Sequence, residues 1–468
     1  MPNYQNALNN CRVPQQIEHL KQIFHVGIKT VDAYRVVKRC IKLKNNVLFV
    51  KTADKKLELD LKNFDKIFVL GAGKAAAKMA VAMEDILSNK ITLGAVVVKY
   101  GHTEPLKHIR LIEAAHPVPD ESCLRASKTL KEIAQKADEK TVVFNLISGG
   151  GSSLLTYPLD YWAENESFRV SLDDVKTLTQ VLLECGASIH EINCLRKHVS
   201  SIKGGRFLGF IYPATSVSLI LSDVTGDRLD TIASGFTTFD ATTFADACCV
   251  IKKYNLKDKV PESVLRVIHL GVKGMLPETP KSGNLVLSKN YNVLIGSNLT
   301  ALMGAKRKAE AFGYEVKILS SQVFGEAKEV AKVFLAIAKD IKRCDLLAHK
   351  PACILSGGET CVSVKGKGKG GRNMEMALSF LLEMKQNRLD AGNIYALCAS
   401  TDGNDGPTDA SGAFVFEELL DICGSMGLKL QDYLKNNDSY TFFEKIGFLY
   451  KTGPTKTNVS DMIILIVL

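Results

Sequence analysis

An α/β architecture with largely parallel strands is the fold class this sequence predicts. Two patterns predict it: short apolar runs that end on glycine-rich elbows, and helical segments that follow several of those elbows. The composition agrees. The chain has 468 residues, 46% hydrophobic and 24% charged. That is long enough to bury a full core without disulfide or metal staples, and too ordinary for a disordered or fibrous protein.

Taken in order, Lys66–Leu70 (KIFVL) runs into Gly71-Ala-Gly-Lys74 and then an Ala/Met-rich helical stretch over 75–87. Thr141–Ile147 runs into Ser148-Gly-Gly-Gly-Ser-Ser153, and Ser216–Leu221 ends at Ser222-Asp-Val-Thr-Gly-Asp227. The segment VLIGSN precedes an amphipathic helix over 299–313 that stops at Gly313, as C-capping requires. CILSGGET and IYALCASTDGNDG repeat the strand–elbow pattern. The stretch Pro261–Asn290, with Pro277, Pro280 and several Gly, Ser and Lys, reads as the least structured and as the domain boundary. Beyond it, strands are expected near 361–364, 394–399, 412–415 and 462–467. The expected domains are therefore 1–275 and 276–468, the second also α/β.

The net charge is +10, spread along the chain apart from the cluster Lys365-Gly-Lys-Gly-Lys-Gly-Gly-Arg372. Spread positive charge favours small anionic ligands, and there is no basic stripe interleaved with aromatics of the kind nucleic-acid binders show. No apolar run approaches the ~18 residues of a membrane span. Neither nucleic acid nor membrane is expected as a partner. The twelve cysteines form no C-x-x-C pair, which excludes a zinc framework and points to a reducing compartment. With no apolar signal segment in MPNYQNALNNCRVPQQ, the expectation is a cytoplasmic protein.

In open α/β sheets ligands bind at the carboxyl ends of strands, where these elbows fall. Glycines let backbone N–H groups converge, which suits phosphate. The first elbow, with Gly71, Gly73 and Lys74, is neither a P-loop nor a complete G-x-G-x-x-G, because Ala76 occupies the third glycine position. The second is the stronger signal, since three consecutive glycines cost chain entropy unless a backbone must come close to something. Gly71 and Gly73 of the first elbow, with Ser148, Gly149, Gly150, Gly151 and Ser152 of the second, are the phosphate- or nucleotide-binding candidates. Asp223 and Asp402, immediately beyond strands, offer the hard oxygen ligands that Mg²⁺ takes; Asp405 and Asp409 read instead as turn residues. In EINCLRKHVSSIKGGRF, Leu195, Val199 and Ile202 make one helix face apolar. Arg196 and Lys203 would project in similar directions, two turns apart, with Lys197 on a neighbouring stripe, which makes these three cations substrate-binding candidates. His190-Glu191 lacks the second His of a zincin, no G-x-S-x-G elbow occurs, and His116, before a proline, reads as a turn or packing histidine.

Assembled in order, VLGAGKAAAKMA, GHTEP, AAHPVPD, LISGGGSSLL, EINCLRKHVSSIKGGRF, LILSDVTGDRLDTIASG, LIGSN, LSGGETCV, GKGGRNMEMAL, STDGNDGPTDASGA and GPTKTNVSD resemble the glycerate 2-kinases whose C-terminal half carries the MOFRL domain. The resemblance runs from about Phe68 to Asp461, with the MOFRL region at about 350–465. It implies two different α/β domains, the first Rossmann-like with a mostly parallel sheet, and an active site in the cleft between them. The activity it implies is transfer of the ATP γ-phosphoryl group to the 2-hydroxyl of D-glycerate, with Mg²⁺ as cofactor. By motif, Lys74 and Arg372 are its catalytic candidates, both expected at exposed cleft positions. Phe236 replaces a proline of the family pattern, Lys456 replaces a glycine, and Ala399-Ser400 replaces a frequent Gly-Gly. Two other functions stay open at this point: an NAD(P)H-dependent hydroxypyruvate reductase, suggested by GAGKAA after a strand, and a non-enzymatic binder of a small anion.

Overall fold

The computed structural model describes residues 13–52, 54–163, 166–386, 388 and 392–468. It divides into two compact units, one of residues 33–295 and one that joins the described residues up to 32 with 296–468. The boundary expected at 275/276 therefore differs from the partition seen at both ends. Residues 276–295 stay with the first unit because they lead into an edge strand of its sheet, and the N-terminal helix Gln15–Thr30 packs on Asn298–Ala311 of the second. Pro261–Asn290 is also more ordered than its composition suggests, since Glu262–Val272 is helical.

Within residues 33–295 the strands are β1 (Ile41–Lys44), β2 (Val47–Lys51), β3 (Lys56–Asp60), β4 (Lys66–Ala72), β5 (Leu93–Lys99), β6 (Arg110–Ala114), β7 (Thr141–Ile147), β8 (Asp160–Ala163), β9 (Glu166–Arg169), β10 (Thr215–Leu221) and β11 (Asn290–Gly296). The first three form a small antiparallel sheet, and β8 pairs with β9. The main sheet runs β6-β5-β4-β7-β10-β11, and the pairings from β6 to β10 are parallel. Counted along the chain this is the order 3-2-1-4-5-6 of a doubly wound fold, whose switch point lies between β4 and β7. Every residue of β7 is buried, as expected for a parallel strand covered by helices on both faces. The helix Ala76–Leu87 can lie close on the sheet because Ala76, Ala77, Ala80 and Ala82 present almost no side chain.

The second unit holds β12 (Glu315–Val323), β13 (Ala352–Gly358), β14 (Ile394–Ser400), β15 (Gly412–Val415), β16 (Leu449–Tyr450) and β17 (Asp461–Val467). Their order is β12-β13-β17-β14-β15-β16, parallel only between β12 and β13. The wholly buried β17, DMIILIV, is paired on both sides and runs against its neighbours, so its first residue, Asp461, lies beside the last residues of β13 and β14. The strands expected near 394–399, 412–415 and 462–467 are present. None forms at 361–364, where the chain makes only an isolated bridge from Cys361 to Glu326, while the strand expected in CILSGGET is present as Ala352–Gly358. Among the described residues no helix is long and apolar enough to cross a membrane.

Candidate functional site

The switch point brings the first two glycine elbows together. Ala72 pairs with Ile147, so the residues that follow, Gly73 and Ser148, emerge side by side. The N–H of Gly73 donates to Val97 O at 3.1 Å, that of Lys74 to Gly149 O at 2.8 Å, and that of Ala75 to Ser148 Oγ at 3.1 Å. These amides are therefore spent within the protein. Gly73, at φ +138°, packs so tightly on Ser148 that no side chain would fit, and Gly71 is equally close to Leu146. The two glycines let the elbows approach each other; their own N–H groups are not what is left to bind a ligand.

The second elbow keeps free donors. Among the described residues, the N–H groups of Gly149 and Gly150 carry no hydrogen bond, although Gly149 is buried. A buried N–H is rarely left without an acceptor, which sets these two amides apart from those of the first elbow. A Cβ at Gly149 would collide with the Asp223 carboxylate, which places that acid directly on the loop. A Cβ at Gly150, where φ is +85°, would lie 2.9 Å from His116 Nε2 and 3.4 Å from Lys74 Cγ. Ser152 Oγ sits 2.6 Å from Ser234 Oγ, which donates to Asn193 Oδ1 at 3.1 Å.

The three substrate-binding candidates part company. The helix Ile189–His198 ends before Lys203, which lies in the turns beyond it, so the extended helical face expected for Arg196 and Lys203 does not form. Lys203 is buried, and its Nζ donates to Ser152 O and, at 2.8 Å, to Leu155 O. Burial, then the nearby Arg196 charge, holds the Lys203 ammonium well below its usual range. Burial also lowers Arg196, whose Nε is buried without a partner. Neither cation is in an ion pair with a carboxylate among the described residues. Lys197 faces elsewhere: its Nζ is 3.3 Å from Asp240 Oδ1, with both side chains buried. That carboxylate also accepts from Thr242 and Thr279, so Lys197 belongs to an internal structural pair.

In the second unit, Arg372 opens the helix Arg372–Gln386. Its Nε and Nη2 reach the two oxygens of Asp461 at 2.6 and 3.1 Å, and Nη1 reaches Glu359 Oε1 at 2.6 Å. Burial alone would lower this guanidinium, but Asp461 and then Glu359 hold it above its ordinary value. The exposed cleft arginine expected from the motif is instead bound into a carboxylate frame. Burial raises Asp461 and pushes Asp405 up to about 7. Asp405 accepts from Met374 N at 2.8 Å and Asn373 N at 3.1 Å, and so caps the Arg372 helix. Asp402, two residues past β14, accepts from Ser400 Oγ at 2.9 Å and from Asn404 N at 3.0 Å, an Asx-turn within reach of the same strand ends. Asp409 pairs with Lys451 and Tyr440. Loop residues Asn436, Asn437 and Asp438 fix the backbone of the glycine–lysine run that leads into Arg372.

Of the family departures, Phe236 fills the core and stacks on Phe207 at 4.2 Å. Lys456 sits at φ +57°, the left-handed region that a glycine would occupy without strain. Sequence reasoning passed over Asn193, Ser234, Glu359 and Asp461, and read His116 as a turn or packing residue. The signal for two of them was present: His116 stands two residues past the carboxyl end of β6, and Asp461 closes the GPTKTNVSD block.

Two family models match the chain, one described as a domain of unknown function (DUF4147) over residues 19–269 and one as the MOFRL family over 352–461. The chain is 42% identical to the D-glycerate 2-kinase of Thermotoga maritima, covering 86% of this chain and 91% of that protein. It is 40% identical to an Agrobacterium vitis protein provisionally named hydroxypyruvate reductase, covering 84% and 85%. The crystal structure of the glycerate kinase of Thermotoga maritima superposes with a TM-score of 0.82 at 39% identity, covering 97% of this chain and all of that one. A doubly wound unit joined to a MOFRL mixed-sheet unit defines the class of protein. Within that class, the chain belongs to the glycerate 2-kinase family.

Proposed function

We propose that this protein is an ATP-dependent kinase that transfers the γ-phosphoryl group to the 2-hydroxyl of D-glycerate, giving 2-phosphoglycerate and ADP. The observation that carries the reading is the Ser148–Ser152 loop at the sheet's switch point, with uncommitted N–H groups, Asp223 against Gly149 and the Lys74 stem against Gly150. Phosphoryl transfer asks a protein for positioning and charge placement more than for covalent chemistry. The loop amides hold phosphate oxygens, while Lys203 ties down the loop from within through Ser152 and Leu155. Lys74 neutralises the transferring group. The Nη N–H groups of Arg372 not bonded to Asp461 and Glu359 take the glycerate carboxylate.

The chemistry of two acids fits Mg²⁺, which binds through one or two carboxylates plus substrate phosphates and neutralises phosphate charge. Asp223 lies on the phosphate loop, and Asp402 is oriented by Ser400 and Asn404. An ion held by these acids would take its remaining ligands from nucleotide phosphates and water. The free cysteines suit a cytoplasmic setting.

A reductase would bind a dinucleotide at the same switch point, but the motif has Ala76 for its third glycine, and β5 ends on Lys99 where an acid would hold the ribose. The test is a coupled assay on purified protein with ATP, Mg²⁺ and D-glycerate, with product identified as 2- rather than 3-phosphoglycerate. ATP consumption that depends on glycerate supports the proposal. NAD(P)H oxidation with hydroxypyruvate and no kinase turnover reverses it.

A further inference from the structure

His116 reaches the phosphate loop from a strand end that carries none of the glycine motifs. Its ring and the stem of Lys74 close over the same residue, Gly150, at 2.9 and 3.4 Å from where a Cβ would stand. Among the described residues the N–H groups of Gly150 and of its neighbour Gly149 carry no hydrogen bond. Main-chain donors, a lysine and an imidazole therefore converge on one small space, kept open by the lack of any side chain at 150. We propose that His116 donates a hydrogen bond from Nε2 to the terminal phosphoryl group of the bound nucleotide, as an uncharged partner to Lys74. This extends the kinase reading and rests on it.

The charged and titratable groups whose fields act on the ring are Lys74, Lys99 and His102, and His102 Nδ1 is itself 3.2 Å from Lys74 O. Burial first, and then these neighbours, lower His116 to about 4, so the ring is neutral at pH 7. A neutral imidazole keeps one N–H and still donates. It can thus fix the direction of a phosphoryl oxygen without adding a charge to a place already supplied by lysine. No proton changes hands at His116 in this scheme. It is a catalytic residue by contact, in the AAHPVPD block rather than in the two blocks that hold Lys74 and Arg372.

The test compares His116→Ala and His116→Gln in the full chain, with two readouts: kcat for glycerate-dependent ADP release, and calorimetric binding of ATP against ADP. Removing one donor to a developing charge costs roughly 10²-fold in kcat, so alanine should lose about that much. It should also weaken ATP about tenfold, the scale of one lost hydrogen bond, and leave ADP unchanged. Glutamine, which carries an amide N–H near the position of Nε2, should recover most of both losses. Alanine that keeps wild-type kcat and wild-type preference for ATP over ADP overturns the proposal. So does glutamine that performs no better than alanine, which would make the ring a proton acceptor or a packing element. If alanine fails to fold, glutamine and the ATP–ADP contrast decide. If wild type does not phosphorylate glycerate, the acceptor reading fails by itself, while that contrast still tests His116.

Discussion

The two units use opposite electrostatic strategies at the ends of their sheets. In the doubly wound unit, Lys203 is buried and Arg196 half-buried, neither is ion-paired with a carboxylate among the described residues, and desolvation lowers both. In the mixed-sheet unit, Asp405 and Asp461 are buried and raised, and the cation among them, Arg372, is gripped by two acids. Leaving buried cations unpaired costs folding energy, which an incoming anion can return. Gripping an arginine with carboxylates fixes its geometry instead. The first unit thus leaves positive charge uncompensated, while the second orients a charge with its own acids.

The largest expected effect separates Lys74 from Arg372. Lys74→Ala should lower kcat ~10²–10³-fold with little change in melting temperature, since its stem borders an open loop. Arg372→Ala should lose activity and also destabilise the protein by about 3 kcal/mol, because Asp461 is left buried without its partner. Arg372→Lys should restore little, as an ammonium cannot span both Asp461 oxygens. Parallel kinetics and thermal melts read both. Equal melting temperatures for the two alanine variants would erase the contrast drawn above.

A smaller effect is expected at Asp402. Asp402→Asn keeps the Asx-turn but removes a charge, so the variant should stay folded and need several-fold more Mg²⁺ for half-maximal rate. A Mg²⁺ titration that superposes on wild type at full activity would leave Asp402 a turn residue alone.

The smallest effect is in stability against pH. His116, at about 4, and His198, also lowered by burial, resist protonation in the folded state. Below the unfolded histidine value of 6.5 the unfolded chain takes up protons the fold refuses, so this unit loses stability as pH falls from 6.5 toward 4. Asp405 has the reverse sign. Folded it keeps its proton up to about 7, against 3.8 unfolded, so its unit loses stability as pH rises across that window. Hydrogen exchange in β7 and β17 peptides, corrected for intrinsic rates, should show opposite slopes between pH 4 and 6.5. His116→Gln should reduce the first slope and Asp405→Asn the second; slopes of one sign in both units would contradict the charge contrast.

What the sequence made legible is local. Gly71 and Gly73, the SGGGSS elbow and Asp223 are all found by one rule, glycine or acid directly after an apolar strand, and the fold places them together. The shared helical face expected for Arg196 and Lys203 does not form, because that rule says nothing of where a helix stops. The chain leaves the helix after His198, so Lys203 turns inward while Lys197 pairs with Asp240. Arg372 and Asp461 are 89 positions apart, and no pattern in either segment announces that the second will neutralise the first. The swap of the described residues up to 32 into the second unit is invisible for the same reason: it rests on pairing across the whole chain.

That swap has a consequence for how the protein is made. The helix Gln15–Thr30 buries Ile17, Leu20, Ile23 and Phe24, and Thr30 fits against Gly304 where no larger residue could stand. Its partner helix begins at Asn298, so an entire unit of the protein is synthesised in between. At the usual ~5–20 residues per second, the nascent helix waits on the order of 15–55 seconds on the ribosome with its apolar face uncovered. An early-made segment with a late-made partner invites chaperone capture during translation, whereas residues 33–295 can close on themselves as they emerge.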